Sequence, residues 1–365
     1  MSNPHLEVIR EGLFKPLDRQ GLSLKNRIVM APMTRGFSKN GVPDENVVAY
    51  YRRQAESGVG LIVTEGTLIN HPAASGSPDW PNIHGKESLE GWEKVVTAVH
   101  EAGGKIVPQL WHLGTARKPG SLPNPEASPI GPSGLDSEGT RVNEPLTENE
   151  IADVVSAYAQ AAIEAKRVGF DGIEIHGAHG YLIDQFFWEK TNQRSDKYGG
   201  DIKNRTRFGA EVIRACRKAV GSDFPIIFRF SQWKSNHYDV KLARTPEQLE
   251  TFLEPLADAG VDVFHASTRQ YWVPEFKDSR LNLAGWAKKL TGRPTITVGS
   301  VALEQDFWQQ SERISRLAEI LEQGEADLVA IGRSLLSNPQ WVNQVKENSL
   351  SDWVTYDSSV LTNLN

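Results

Sequence analysis

Cysteine is nearly missing from this sequence. Cys216 stands alone among 365 residues, so no internal disulfide can form, and a reducing, cytoplasmic setting is the expectation. A lone thiol also excludes a protein-held iron–sulfur cluster, which normally needs several thiolates. No apolar run approaches the roughly 18 residues that a membrane-spanning helix needs. Met1 to Arg10 lacks the apolar core of a secretory leader. Basic charge is not in excess: 40 Lys and Arg stand against 46 Asp and Glu, a net charge of −6. That balance argues against a nucleic-acid or anionic-membrane partner, either of which needs a concentrated basic patch. With 39% hydrophobic and 24% charged residues, the chain can bury a large core and remain in solution, and disordered and collagen-like classes are excluded.

Short, almost continuously apolar runs recur along the chain. They are Arg27–Met30, Gly60–Val63, Lys105–Val107, Gly172–Ile175, Pro225–Phe228, Val261–Phe264, Pro294–Thr297 and Asp327–Ala330. Such runs suit strands buried on both faces. The segments between them carry helix signals. Thr147-Glu148-Asn149-Glu150 reads as a capping box ahead of Ile151, Val154, Val155, Tyr158, Ala161, Ala162 and Ala165 at helical spacing. Thr245-Pro246 reads as a second start, and Gly103, Gly221 and Gly260 read as helix ends. Strand and helix alternating eight times predict an α/β fold, a single (β/α)8 barrel (TIM barrel) domain over residues 1–365. A doubly wound sheet is the alternative. Residues 13–27 read as a hairpin around Gly21 that plugs the barrel floor. Residues 112–146, rich in proline and glycine, form a long loop after the third strand that caps the opposite face.

Barrel chemistry gathers at the carboxyl ends of the strands. There the sequence delivers Pro32 and Thr34, Glu65 and Gly66, Gln109 and Trp111, His176, His179 and Tyr181, Arg229, Ser267, Gly299 and Ser300, and Gly332 and Arg333. Glycines at the last two ends, with an adjacent arginine, suit a phosphate. Gln109 and Thr34 offer uncharged hydrogen bonds, and Arg229 a fixed cation. Together they describe a site for flavin mononucleotide, FMN, whose reduced anion a nearby cation stabilises. His176 and His179, three residues apart on a glycine-rich turn, suit two N–H donors aimed at one substrate oxygen. Zinc is the competing reading, but no acidic ligand set accompanies them and no metal is expected. Trp111, Trp188, Trp233 and Trp272 follow strands three to six and suggest an aromatic pocket. Two further readings remain at this point: a metal-dependent barrel hydrolase and a flavin-binding redox sensor without turnover.

These residues resemble the old yellow enzyme family of FMN-dependent ene-reductases. The matching pieces are Asn26 to Arg35, Thr64-Glu65-Gly66, Pro108-Gln109-Leu110-Trp111, His176 to Tyr181, Phe186-Phe187, Thr191 to Gly200, Asn204-Arg205, Ile331-Gly332-Arg333 and Ser337-Asn338-Pro339. The resemblance implies tightly bound, non-covalent FMN and NADPH or NADH as a transient hydride donor. The hydride passes by way of the flavin to the β-carbon of an activated alkene, an α,β-unsaturated carbonyl or a nitroalkene. By the same resemblance, Pro32, Thr34, Gly66, Gln109 and Arg229, with Met33 in the same segment, contact the flavin ring. Gly299, Ser300, Gly332 and Arg333 hold the ribityl phosphate. His176 and His179 grip the substrate oxygen and Tyr181 protonates the α-carbon; from their places after the strands, Trp111 and Trp272 are expected to line the substrate pocket. Phenols are expected as ligands, and a homo-oligomer is compatible with the pattern. Some members carry a cysteine where Thr34 stands. Others append an iron–sulfur and second flavin domain, a layout not expected of this chain. Trp233, Arg269 to Trp272, and residues 343–365 lie outside the pattern.

Overall fold

Strands with apolar residues on both faces must be covered on both, and here a closed barrel does so. In the computed structural model, eight parallel strands follow one another in sequence order and the eighth pairs with the first. The structure describes residues 4–19, 21–304, 307–309, 311–350 and 353–364. The barrel strands are β1 (Ile28–Met30), β2 (Leu61–Leu68), β3 (Lys105–Trp111), β4 (Ile173–His179), β5 (Ile226–Lys234), β6 (Val263–Ser267), β7 (Thr295–Val298) and β8 (Leu328–Ile331). Parallel neighbours require long crossovers. The helices are α1 (Pro4–Phe14), α2 (Glu45–Glu56), α3 (Lys86–Glu101), α4 (Glu148–Val168), α5 (Leu182–Phe187), α6 (Ile202–Val220), α7 (Pro246–Ala259), α8 (Leu283–Thr291), α9 (Ser311–Glu322), α10 (Arg333–Ser337) and α11 (Trp341–Glu347). Closure rules out the doubly wound sheet.

Local chemistry sets the helix ends. The Glu150 carboxylate accepts from Thr147 N–H at 2.7 Å, and the Thr147 hydroxyl accepts from Glu150 N–H at 3.3 Å, so two orphan donors of α4 are satisfied reciprocally. At the start of α7 the Thr245 hydroxyl accepts from Gln248 N–H at 3.3 Å, and Pro246 opens the helix where its missing N–H costs nothing. Helix α1 has no counterpart in the sequence reading. It buries Ile9 and Leu13, and its Gly12 lies against Leu321 of α9.

The floor of the barrel is closed by an antiparallel hairpin, Leu17–Arg19 with Leu22–Leu24. It begins at residue 17 rather than 13, because Leu13 and Phe14 still belong to α1. Leu17, Leu22 and Leu24 are buried against the inward-facing Val29, Leu61, Val107, Ile227, Val263, Ile296 and Leu328. This dry plug fills the amino-terminal end of the barrel and leaves the carboxyl-terminal end for polar groups.

The loop 112–146 contains little regular structure, yet it is anchored. Arg117 is 1% exposed and donates to the carbonyls of Ser75, Lys118, Ala127, Ser121 and Asn124. A guanidinium can satisfy five carbonyls from one fork, which fixes the loop without a carboxylate partner. Arg117→Ala removes charge-assisted bonds of about 1.5–3 kcal/mol each. We expect limited proteolysis between residues 117 and 130 to quicken by roughly tenfold or more while the barrel stays resistant. Unchanged cleavage would show that the loop is held by other contacts.

Candidate functional site

Inward positions of a barrel strand recur every second residue. Above the apolar plug, this alternation brings Gln109, Glu174, Arg229 and His265 to one buried level. Glu174 is fully buried, and its carboxylate accepts from Gln109 Nε2 at 2.8 Å and from His265 Nδ1 at 2.6 Å. Burial pushes this carboxyl up, but His265, Arg229 and Gln109 together hold it below its ordinary range. Burial lowers His265, consistent with a neutral imidazole donating its Nδ1–H to Glu174. Arg229 is 7% exposed; its Nη2 lies 3.4 Å from the Ser267 hydroxyl, and its Nε has no partner among the described residues. Glu174 and His265 escaped the sequence reading. Their signal was the period of two, since each stands two residues before a recognised site residue, His176 and Ser267.

The turn after β4 gathers the imidazoles and the phenol. The rings of His176 and His179 are perpendicular, with centroids 5.2 Å apart, and Tyr181 lies 5.1 Å from His176. His176 Nδ1 accepts from Ala178 N–H at 3.3 Å, which places the proton of the neutral ring on Nε2, the atom free to donate. His179 adopts a φ of 64°, and its Nε2 meets the Ser267 hydroxyl at 2.8 Å. Burial, with Arg229 nearby, drives both histidines well below their ordinary range, so they are neutral. Burial raises the Tyr181 phenol, which therefore stays protonated.

A buried ion pair supports this turn. Lys234 Nζ contacts the Asp184 carboxylate at 2.6 Å with both side chains almost wholly buried. The other Asp184 oxygen accepts from Gly180 N–H at 2.7 Å, between His179 and Tyr181. Trp111 packs its edge on Tyr181 at 4.9 Å and stacks along His176 at 6.3 Å. Gly66 is required beside it, because a Cβ there would lie 2.4 Å from the Trp111 ring.

The loop after β1 is set by Glu65. Its carboxylate accepts from Arg35 N–H at 2.8 Å and Gly36 N–H at 2.9 Å, which fixes the segment that carries Pro32, Met33 and Thr34. Burial pushes this carboxyl up to about 7 despite those two donors. After β7, Gly299 has a φ of 151°, and a Cβ there would stand 2.6 Å from the Thr268 hydroxyl. The Ser334 hydroxyl donates to the carbonyls of Val301 and Ala302, tying the loops after β7 and β8 together.

These pieces border one cavity of about 380 Å³. Its walls include Pro32, Met33, His179, Arg229, Gly299, Ser300, Gly332 and Arg333 from the expected set, together with Trp233 and Arg269. Gln109, His176, Trp111 and Tyr181 adjoin this wall through the contacts above. A larger hollow of about 940 Å³, between Trp188, His237 and Arg244, holds none of the expected flavin or catalytic residues.

Two expected pocket aromatics lie elsewhere. Trp272 carries the Arg313 guanidinium 4.2 Å over its ring and meets Tyr271 at 5.2 Å, outside the cavity wall. It follows β6 by five residues, far enough for the chain to turn back over the helices. Trp188 packs against His237. Trp233 takes the aromatic position instead, stacked on His179 at 4.4 Å. It continues the inward series Arg229, Ser231, Trp233 on β5. The carboxyl-terminal segment also returns to this end of the barrel. Trp353 packs on Trp308 and Trp341, Tyr356 lies 5.3 Å below the Arg333 guanidinium, and Arg35 donates to the carbonyls of Val360 and Asn363. Among the described residues, no group of three or more His, Cys, Asp or Glu side chains converges as a metal site requires, and no helix is long and apolar enough to cross a membrane.

Comparison with known proteins agrees with this geometry. The profile of the NADH:flavin oxidoreductase / NADH oxidase family matches residues 12–352. The chain is 36% identical over 337 residues to an NADH oxidase of Thermoanaerobacter brockii, covering 89% of this chain but only 49% of that protein, so it spans about half the length of that relative. It is 34% identical to 12-oxophytodienoate reductase 7 of Oryza sativa subsp. japonica, covering 92% of this chain and 88% of the other. It is also 34% identical to an NADPH dehydrogenase of Clostridium acetobutylicum, covering 90% and 93%. Among solved structures, morphinone reductase in complex with tetrahydroNAD superposes with a TM-score of 0.81 at 29% identity, covering 96% of this chain and 94% of that one. The chain belongs to the NADH:flavin oxidoreductase / NADH oxidase family, the old yellow enzymes, and is an oxidoreductase whose cofactor is FMN and whose hydride donor is a reduced nicotinamide.

Proposed function

We propose that the protein reduces the activated double bond of α,β-unsaturated carbonyl compounds and nitroalkenes, with Tyr181 as the proton donor to the α-carbon. The observation that carries this reading is one cavity whose wall brings His179 and Arg229 together with Gly299, Gly332 and Arg333. Its residues suit FMN. The Arg229 Nε is a buried donor with no partner among the described residues, as a site for an acceptor-rich ring edge should offer. At Gly332 an added Cβ would meet only Met33 Sδ at 3.8 Å and Ala31 Cβ at 3.9 Å, ordinary contact, so the backbone beside Arg333 is not crowded by other protein atoms. Bound there, FMN supplies a two-electron relay between nicotinamide and alkene.

The protein groups divide the remaining work. Pro32, Met33, Thr34, Gly66, Gln109 and Arg229 border the ring. Gly299, Ser300, Gly332 and Arg333 hold the phosphate end. Neutral His176 and His179 donate to the substrate oxygen and polarise the double bond. Trp111 and Trp233 wall the substrate space. Tyr181 holds its proton at neutral pH and gives it to the carbon next to the polarised group. One barrel domain over residues 1–365 and a cytoplasmic setting belong to the same reading, the latter on the single buried thiol of Cys216.

Three outcomes test these roles. Arg333→Ala should weaken FMN roughly 10- to 100-fold, as the loss of a charged hydrogen bond does, and leave riboflavin binding nearly unchanged. An equal loss for both ligands would remove Arg333 from the phosphate site. Para-substituted phenols should bind as phenolates with a long-wavelength charge-transfer band, and the double replacement of His176 and His179 by Ala should abolish the band while FMN stays bound. A surviving band would move oxygen binding to other residues. Tyr181→Phe should slow reduction of cyclohexenone by roughly 10²- to 10⁴-fold. Reduction of the bound flavin by NADPH or NADH and its reoxidation by a nitroalkene, which leaves a stable nitronate, should change little. Stopped-flow traces of each half-reaction measure this, and uniform slowing of all three would make Tyr181 a structural residue.

A further inference from the structure

Beside the main cavity lies a smaller hollow of about 200 Å³ that shares Trp233, Ser267, Thr268, Arg269 and Gln270 with it. Arg269 is the exposed cation on their common rim. Its guanidinium carbon sits 4.2 Å from the Tyr238 ring centroid and 5.9 Å from that of Trp233. Its backbone carbonyl accepts from the Ser300 hydroxyl at 2.9 Å. Aromatic faces leave the guanidinium N–H edge free, because they engage only the face of the planar cation. Among the described residues no carboxylate lies within ion-pairing distance of Arg269. The only acidic residue lining the hollow, Glu275, is taken by Lys241 and by Gln232 Nε2 at 3.2 Å. Arg269 is thus a held, unneutralised cation in a chain of net charge −6.

We propose that Arg269 is a carboxylate subsite, and that the alkenes this enzyme prefers carry an acid group distal to the double bond. The position decides the class of anion. The same Trp233 ring that lies under Arg269 is stacked on His179 at 4.4 Å, so a ligand spanning one aromatic ring's breadth joins the oxygen-binding histidines to the cation. A compact enone acid has that length. The adenosine phosphate of a nicotinamide coenzyme is separated from its reacting ring by two riboses and a pyrophosphate, too far for this short span. Guanidinium and carboxylate meet through paired, charge-assisted hydrogen bonds, which a neutral ester cannot form.

This subsite rests on the ene-reductase reading for the word "substrate", but its binding can be measured without turnover. The test titrates the FMN-loaded protein with a cyclic enone bearing a carboxylate side chain and with its methyl ester, following the flavin absorbance, and repeats both in Arg269→Ala and Arg269→Lys. We expect the acid to bind the wild type roughly tenfold or more tightly than the ester. The alanine variant should lose that advantage while ester binding holds, the lysine variant should keep part of it, and added salt should erode it because the site is exposed. Equal affinity for acid and ester in the wild type, or equal loss of both in Arg269→Ala, overturns the proposal. So does a variant that weakens NADPH but not NADH and leaves the acid untouched, which would assign the cation to the coenzyme. Tight, Arg269-dependent binding of the acid without any reduction of it would keep the subsite and refute the ene-reductase reading alone.

Discussion

A buried carboxylate governs this barrel. Glu174 lies with no exposed surface in the middle of a ring of strands, where an unpaired charge would be costly. It persists because β3 brings Gln109, β6 brings His265 and β5 brings Arg229 to the same level. Removing one partner from such a buried network typically costs about 3–5 kcal/mol, so the strands are held in register by polar chemistry as well as by apolar packing. The side chains facing the cavity inherit that order. The Gln109 amide has its Nε2 committed to Glu174, which settles which way the amide points. The Arg229 guanidinium remains charged beside the carboxylate, with its Nε free of any described partner.

The level above repeats the principle. Asp184 and Lys234 are a second buried pair, and their task is local: Asp184 holds the Gly180 N–H in the turn that carries His179 and Tyr181. His179 reaches a left-handed backbone conformation there, and its ring is fixed between Ser267 and Trp233. Donors aimed at a substrate oxygen act best when they do not need to reorganise, and both histidines are neutral and held by neighbours, His176 buried and His179 half-buried. The two pairs differ in consequence. The Glu174 group orders the floor of the cavity, while the Asp184 pair orders the edge at which protons and substrate oxygens are handled.

The carboxyl-terminal segment adds a third support. Trp353 packs on Trp308 and Trp341, and Tyr356 lies beneath Arg333, so the chain end braces the arginine assigned to phosphate. No motif in residues 343–365 suggested this. The partners, Trp308 and Arg35 among them, are remote in sequence, and an isolated tryptophan or tyrosine carries no signature of what it will meet.

Much of the molecule was readable from the sequence, because its information was local. Eight apolar runs with capped helices between them specify a parallel barrel, since parallel strands need crossovers and strands covered on both faces need apolar residues throughout. Strand ends then locate the chemistry, and the close spacing of His176, His179 and Tyr181 keeps them on one turn whatever the rest does. Other features depended on which remote strands became neighbours. Glu174 and His265 looked like interior strand residues until closure set them 2.6 Å apart. Trp233 and Trp272 were equivalent as tryptophans in loops beyond strand ends. Only the inward alternation of β5 turned one toward His179, while the longer path after β6 carried the other to Arg313. Sequence determines which residues can pair and how the backbone prefers to run; a barrel's closure decides which of them meet, because burial makes each polar group depend on partners that lie tens of residues away.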